Sequence, residues 1–148
     1  MQRFNAEKQL AVETLDSLHK SLDTCPTAND FVDDPKGLKV PLLDHQKSAL
    51  AWLLWREKQK PSGGLLADDM GLGKTLTMIS QVLKSREVNP DEDREKETYR
   101  EKYPGGTLVI CPASLMGQWS LEIERRTKRG LLDVELFHGP KRETKSKR

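Results

Sequence analysis

Gly71, Gly73, Lys74 and Thr75 have the types and spacing to hold a polyphosphate. They sit in Gly63-Gly64-Leu65-Leu66-Ala67-Asp68-Asp69-Met70-Gly71-Leu72-Gly73-Lys74-Thr75-Leu76-Thr77-Met78-Ile79, which reads as a short apolar strand, a glycine-bearing loop and the opening of a helix. A residue without a Cβ takes positive φ without a clash, so Gly71 and Gly73 permit a sharp turn whose N–H groups approach a bulky anion. The helix expected from Lys74 adds unpaired N–H groups and the positive end of its dipole. That dipole contributes only about 0.3–1 kcal/mol at an exposed site, so a triphosphate also needs a full cation. Lys74 supplies one, with charge-assisted bonds of roughly 1.5–3 kcal/mol each to the β and γ phosphates. Thr75 would place its hydroxyl on Mg²⁺, which takes hard oxygen ligands and shares them with phosphate. Asp69, Met70 and Leu72 complete the loop.

The elements that must position this loop flank it. Leu65-Leu66-Ala67 is the apolar run before it, and Leu76, Ile79 and Leu83 repeat at helical spacing after it, predicting a helix from Lys74 to about Ser85. A further helical pattern from Leu42 to Trp55 carries Leu43, Ala49, Leu50, Trp52, Leu53 and Leu54 on a broad apolar face, with Trp52 expected in the core. Downstream, Thr107-Leu108-Val109-Ile110-Cys111 is apolar and β-branched without alternation, as in a parallel strand covered on both faces. A helix is expected from about Ser114 to Lys128, with Leu115, Trp119 and Ile123 on one face and Ser114 able to cap it. Leu132, Val134 and Leu136 suggest one more strand. Strand and helix in alternation argue for an α/β fold with a parallel sheet and right-handed crossovers.

The rest of the chain reads as surroundings. Ala11, Leu15, Leu18 and Leu22 form one stripe of an amphipathic helix over residues 1–25, expected to dock on a neighbouring domain or on the lobe that follows. Pro26, Asp33-Asp34-Pro35 and Gly37 mark residues 26–37 as a linker. The lobe occupies 38–148, interrupted at 86–104 by a run of alternating charges with little to bury, read as a flexible insertion.

The strict phosphate-loop pattern has glycine at its first position, where this chain has Asp68. That departure is specific. Ala67-Asp68-Asp69-Met70-Gly71-Leu72-Gly73-Lys74-Thr75-Leu76 resembles the first helicase motif of Swi/Snf-type superfamily 2 ATPases, and its Asp-Asp form resembles the lodestar-like subgroup. Pro41 to Arg56 looks like the segment that precedes that motif, and Pro112-Ala113-Ser114-Leu115-Met116-Gly117-Gln118-Trp119 like the second family motif. The resemblance covers roughly residues 36 to 140 and implies the N-terminal part of a RecA-like lobe, truncated here. It implies ATP with Mg²⁺, with Gln46 reading the adenine edge; a carboxamide offers the donor and acceptor that adenine needs. It further implies double-stranded DNA near Ser114 and Gln118, partners in chromatin or the transcription machinery, and a nuclear location. His45 reads as a solvated or packing histidine, since no second metal ligand lies at i+3 or i+4.

Composition sets outer limits. The chain has 148 residues, room for one modest domain, and its 25 Lys and Arg against 23 Asp and Glu give a net charge of +2, no evidence by itself for a nucleic-acid surface. Cys25 and Cys111 fit no disulfide or metal spacing, which points to a reducing compartment. No stretch approaches the roughly 20 apolar residues that span a bilayer, and no membrane partner is expected.

Hydrolysis needs an acid on the metal and a group that orients water, normally an Asp-Glu pair at the end of an apolar strand. Leu131-Leu132-Asp133-Val134-Glu135 fails this test because its acids fall within the strand pattern and are not adjacent. Two functions therefore stay open: an ATP-binding segment of a DNA-dependent motor, and a nucleotide- or partner-binding module without turnover.

Overall fold

The computed structural model describes residues 12, 15, 19, 22–88 and 106–139. Its core is a pair of helices, α1 (Asp44–Glu57) and α2 (Lys74–Val88), packed against each other. Leu43 is the N-cap of α1 in extended conformation, and Asp44 puts a negative charge in the first turn, where the helix dipole favours one. Within α1, Gln46, Leu50 and Leu53 are buried at i, i+4 and i+7. Across from them, α2 buries Thr77, Ile79, Ser80 and Leu83, with Thr77 and Ser80 fully inaccessible. Their small side chains bring the two helices close. The third helix, α3 (Met116–Arg126), follows a 3₁₀ turn at Ala113–Leu115 and packs on α2.

The segment expected as a linker is pinned at its end. Lys39 N–H donates to Arg126 O at 2.7 Å and Lys128 N–H to Gly37 O at 2.8 Å, an antiparallel bridge between Leu38 and Thr127. Leu42 N–H donates to the Asp34 carboxylate at 3.3 Å, and Lys36 N–H to that of Glu87. These bonds tie the entry of α1 to the ends of both α2 and α3.

Three expectations need correction or restriction. Residues 62–69, 106–112 and 132–138 are neither helix nor strand, and among the described residues no strand ladder forms, so the parallel sheet does not appear there. Leu65, Leu108 and Ile110 are 82%, 81% and 88% exposed, where a strand covered on both faces would bury them. Apolar, β-branched composition favours an extended backbone on a packed surface; it does not by itself supply the neighbour that covers it. The third helix begins at Met116, not Ser114, and its N-cap is Leu115 without a side-chain cap, so Ser114 does not cap it. Val12, Leu15, His19 and Leu22 have helical backbone, and Leu15 and Leu22 are 54% and 59% exposed. The rest of that first helix, the charged run over 89–105 and residues 140–148 lie outside the described residues.

Trp52 is half-buried, its ring against Gly64 so closely that a Cβ there would overlap it. That contact seats the segment leading to the loop on α1. Trp55 donates its indole N–H to Thr24 Oγ1 at 3.1 Å.

Candidate nucleotide site

The loop from Asp68 to Gly73 connects that segment to the first turn of α2. Gly71 and Gly73 have φ of +90° and +81°, in the left-handed region that glycine tolerates. A Cβ on Gly71 would meet nothing within 4 Å, so the loop opens to solvent on that side. Met70 at its tip is 96% exposed and Asp69 is exposed. At the head of α2, the N–H groups of Gly73, Lys74, Thr75 and Leu76 donate to no protein group among the described residues, whereas Thr77 N–H closes the first helical bond on Gly73 O at 3.1 Å. Successive unpaired donors at a helix start beside positive-φ glycines form a receptor for an anion.

Lys74 Nζ donates to two carbonyls of its own loop, Asp68 O at 2.5 Å and Asp69 O at 2.9 Å. The ammonium is thus folded back across the loop, satisfied by neutral acceptors. Thr75 is half-buried beside it. With the unpaired amides, this donor set fits a polyphosphate, and the Thr75 hydroxyl fits a hard cation such as Mg²⁺. Among the described residues no cluster of His, Cys, Asp and Glu could hold a metal by side chains alone.

Gln46 lies 3% exposed at the third position of α1, with both ends of its carboxamide engaged. Its Oε1 accepts Leu43 N–H at 2.9 Å, half of a capping box. Its Nε2 donates to Leu72 O at 3.3 Å and Gly73 O at 3.4 Å. The structure therefore brings Gln46 together with the loop, on the inner side of Gly73. A cavity of about 610 Å³ lies beside the loop, lined by Phe31, His45, Ala49, Trp52, Leu66 and Asp68, and Gln46 is not among its walls. Ser114 and Gln118 are exposed on the 3₁₀ turn and the first turn of α3 and share no hydrogen bond with the loop among the described residues.

Sequence reasoning missed His45, whose Nε2 lies 3.1 Å from Leu72 O. The signal available was its place next to Gln46: adjacent residues in a helix's first turn can reach one neighbouring loop together. Reading His45 as a solvated or packing histidine left that role out.

A protein-family model described as the SNF2-related domain matches residues 45–148. Transcription termination factor 2 of Drosophila melanogaster is 45% identical over 99% of this chain and 16% of its own length. A probable global transactivator of Orgyia pseudotsugata multicapsid polyhedrosis virus is 35% identical over 84% of this chain and 22% of its own. The ATP-dependent helicase ULS1 of Saccharomyces cerevisiae is 32% identical over 85% and 7%. The chain thus spans between 7% and 22% of the length of these relatives. No solved structure matches it.

Proposed function

The chain belongs to the SNF2-related family of Swi/Snf-type helicase-like ATPases, and from that premise we propose that it is the ATP-binding segment of a DNA-dependent translocase acting in transcription termination or on chromatin. The observation that carries this is the run of unpaired N–H groups from Gly73 to Leu76 around a positive-φ glycine, with Lys74 beside it. The family implies a RecA-like lobe, in which the segments at 62–69, 106–112 and 132–138 pair as parallel strands once covered.

Within this reading the residues divide the work. Gly71 to Thr75 cradle the phosphates through backbone N–H groups. Lys74 exchanges two neutral carbonyls for phosphate oxygens, and charge-assisted bonds are roughly twice as strong as neutral ones. Thr75 would hold Mg²⁺ through its hydroxyl, and the ion would supply positive charge against the phosphates. Gln46 takes the adenine edge after releasing Leu43 N–H and the loop carbonyls. Asp69, Met70 and Leu72 line the loop's outer side. Ser114 and Gln118 meet the backbone of double-stranded DNA, and a chain of net charge +2 neutralises few phosphates, giving a shallow salt dependence. A transcription termination factor among the relatives supports a nuclear setting with the transcription machinery or chromatin as partners.

The sequence favours a second reading on one point. Its 148 residues hold no Asp-Glu pair at the end of an apolar strand, so this stretch alone binds nucleotide without turning it over. Calorimetry with ATP and Mg²⁺ tests the shared premise. The parent chain should bind and Lys74→Ala should not; equal binding by both would remove the phosphate-loop assignment.

A further inference from the structure

We propose that His45 is a positioning residue for the phosphate loop, holding Leu72 O so that the next N–H faces the anion. The inference rests on the nucleotide reading above and adds a residue to it. A trans peptide is planar, with its C=O and N–H on opposite sides. Whatever fixes the direction of Leu72 C=O therefore fixes the direction of Gly73 N–H, one of the unpaired donors at the head of α2.

Two side chains converge on that carbonyl: His45 Nε2 at 3.1 Å and Gln46 Nε2 at 3.3 Å. A carbonyl oxygen has two lone pairs and accommodates both. Because Leu72 O can only accept, the His45 nitrogen facing it carries a proton. The restraint matters at this peptide because it lies between Leu72 and a glycine. With φ of +81° and no Cβ, Gly73 leaves the plane free to turn unless something outside the loop holds it.

Gln46 and His45 are not equivalent braces. Gln46 Nε2 is shared between Leu72 O and Gly73 O, and its other end caps α1 through Leu43 N–H. If Gln46 turns toward adenine, it leaves Leu72 O. His45 then remains as the side chain that keeps the plane oriented while nucleotide is bound. His45 sits at the loop's edge, exposed, and in contact with its carbonyl side, so it orients the phosphate receptor without touching phosphate.

The test uses the 148-residue chain and three variants. His45→Phe keeps a ring and removes the donor; His45→Gln places an amide N–H where Nε2 was; Lys74→Ala removes the phosphate cation. Calorimetry with ATP·Mg²⁺ and ADP·Mg²⁺ is read beside the Gly73 amide resonance and the unfolding midpoint of the nucleotide-free protein. One net hydrogen bond corresponds to about 3- to 10-fold in affinity. His45→Phe should lose that factor for both nucleotides and shift or broaden the Gly73 amide, with an unchanged midpoint. His45→Gln should recover most of the affinity. Parent-like binding by His45→Phe, with Lys74→Ala silent, overturns the role of His45 and leaves the nucleotide reading standing. A lowered midpoint in His45→Phe that His45→Gln fails to restore also overturns it, since the residue would then act on folding. A parent chain that binds neither nucleotide overturns both readings.

Discussion

Gln46 and Gly73 fill each other's space: a Cβ on Gly73 would overlap Gln46 Nε2, the atom that donates to Gly73 O at 3.4 Å. Glycine is therefore required at 73 on two separate grounds, the left-handed backbone at φ +81° and the close approach of a buried carboxamide. At Gly71 the first ground applies alone, since a Cβ there meets nothing within 4 Å.

That difference separates two substitutions that look alike in sequence. Gly71→Ala should cost about 1–2 kcal/mol, the penalty of a left-handed backbone for a residue with a Cβ. Gly73→Ala should cost that plus roughly 1 kcal/mol more, because Gln46 must give up a buried hydrogen bond. In a Gln46→Ala background the excess should disappear. Denaturant unfolding of the parent, the three single variants and the Gln46→Ala, Gly73→Ala double variant measures it, and equal costs at both glycines would mean that Gln46 does not occupy this position in solution.

The turn of the loop was legible because its backbone nearly forces the residue type: positive φ at 71 and 73 selects glycine. The helices were legible from apolar spacing, with α1 at Asp44–Glu57 and α2 at Lys74–Val88 both close to the expected spans. Boundaries set by capping were less so, since Gln46 rather than an N-cap side chain completes the start of α1. Residues 26–37 read as a linker because the bond that pins Gly37 joins backbone atoms, which composition does not reveal. The Leu65, Leu108 and Leu136 segments read as strands, but pairing depends on a neighbour and not on the segment's own residues. His45 was invisible for the same reason, as its partner is a carbonyl.

Core and extended-segment leucines should respond in opposite ways. Leu50 is fully buried between α1 and α2, and Leu50→Ala should destabilise by about 2–5 kcal/mol. Leu65 is 82% exposed, and Leu65→Ala should fall within about 0.5 kcal/mol of the parent. A loss at Leu65 comparable to that at Leu50 would show that the extended segment is paired and covered in solution.

Asp30 offers a pH test at the turn beside the loop's cavity. Its carboxylate accepts Thr27 N–H at 2.7 Å and Thr27 O–H at 2.8 Å. The backbone bond first, and the hydroxyl second, hold its pKa below the ordinary value of 3.8. A carboxyl depressed in the folded state contributes stability above its unfolded pKa, and that contribution is lost as pH falls through the folded value. The turn should therefore persist at pH 5 to 7 and loosen only below about 3.8. A carboxyl resonance of Asp30 that titrates at or above that value would contradict the bonding.

Turnover is the last outcome to settle. Positioning and charge stabilisation account for nearly all of phosphoryl transfer. In the proposed reading this stretch would supply the phosphate receptor, Lys74 and a hydroxyl for Mg²⁺, but its sequence offers no strand-end Asp-Glu pair to hold the metal from the other side and orient water. A steady-state phosphate-release assay on the 148-residue chain should stay at the rate of Lys74→Ala, with or without duplex DNA. A rate that rises with DNA and vanishes in Lys74→Ala would place a complete catalytic site within these residues and remove the reading of binding without turnover.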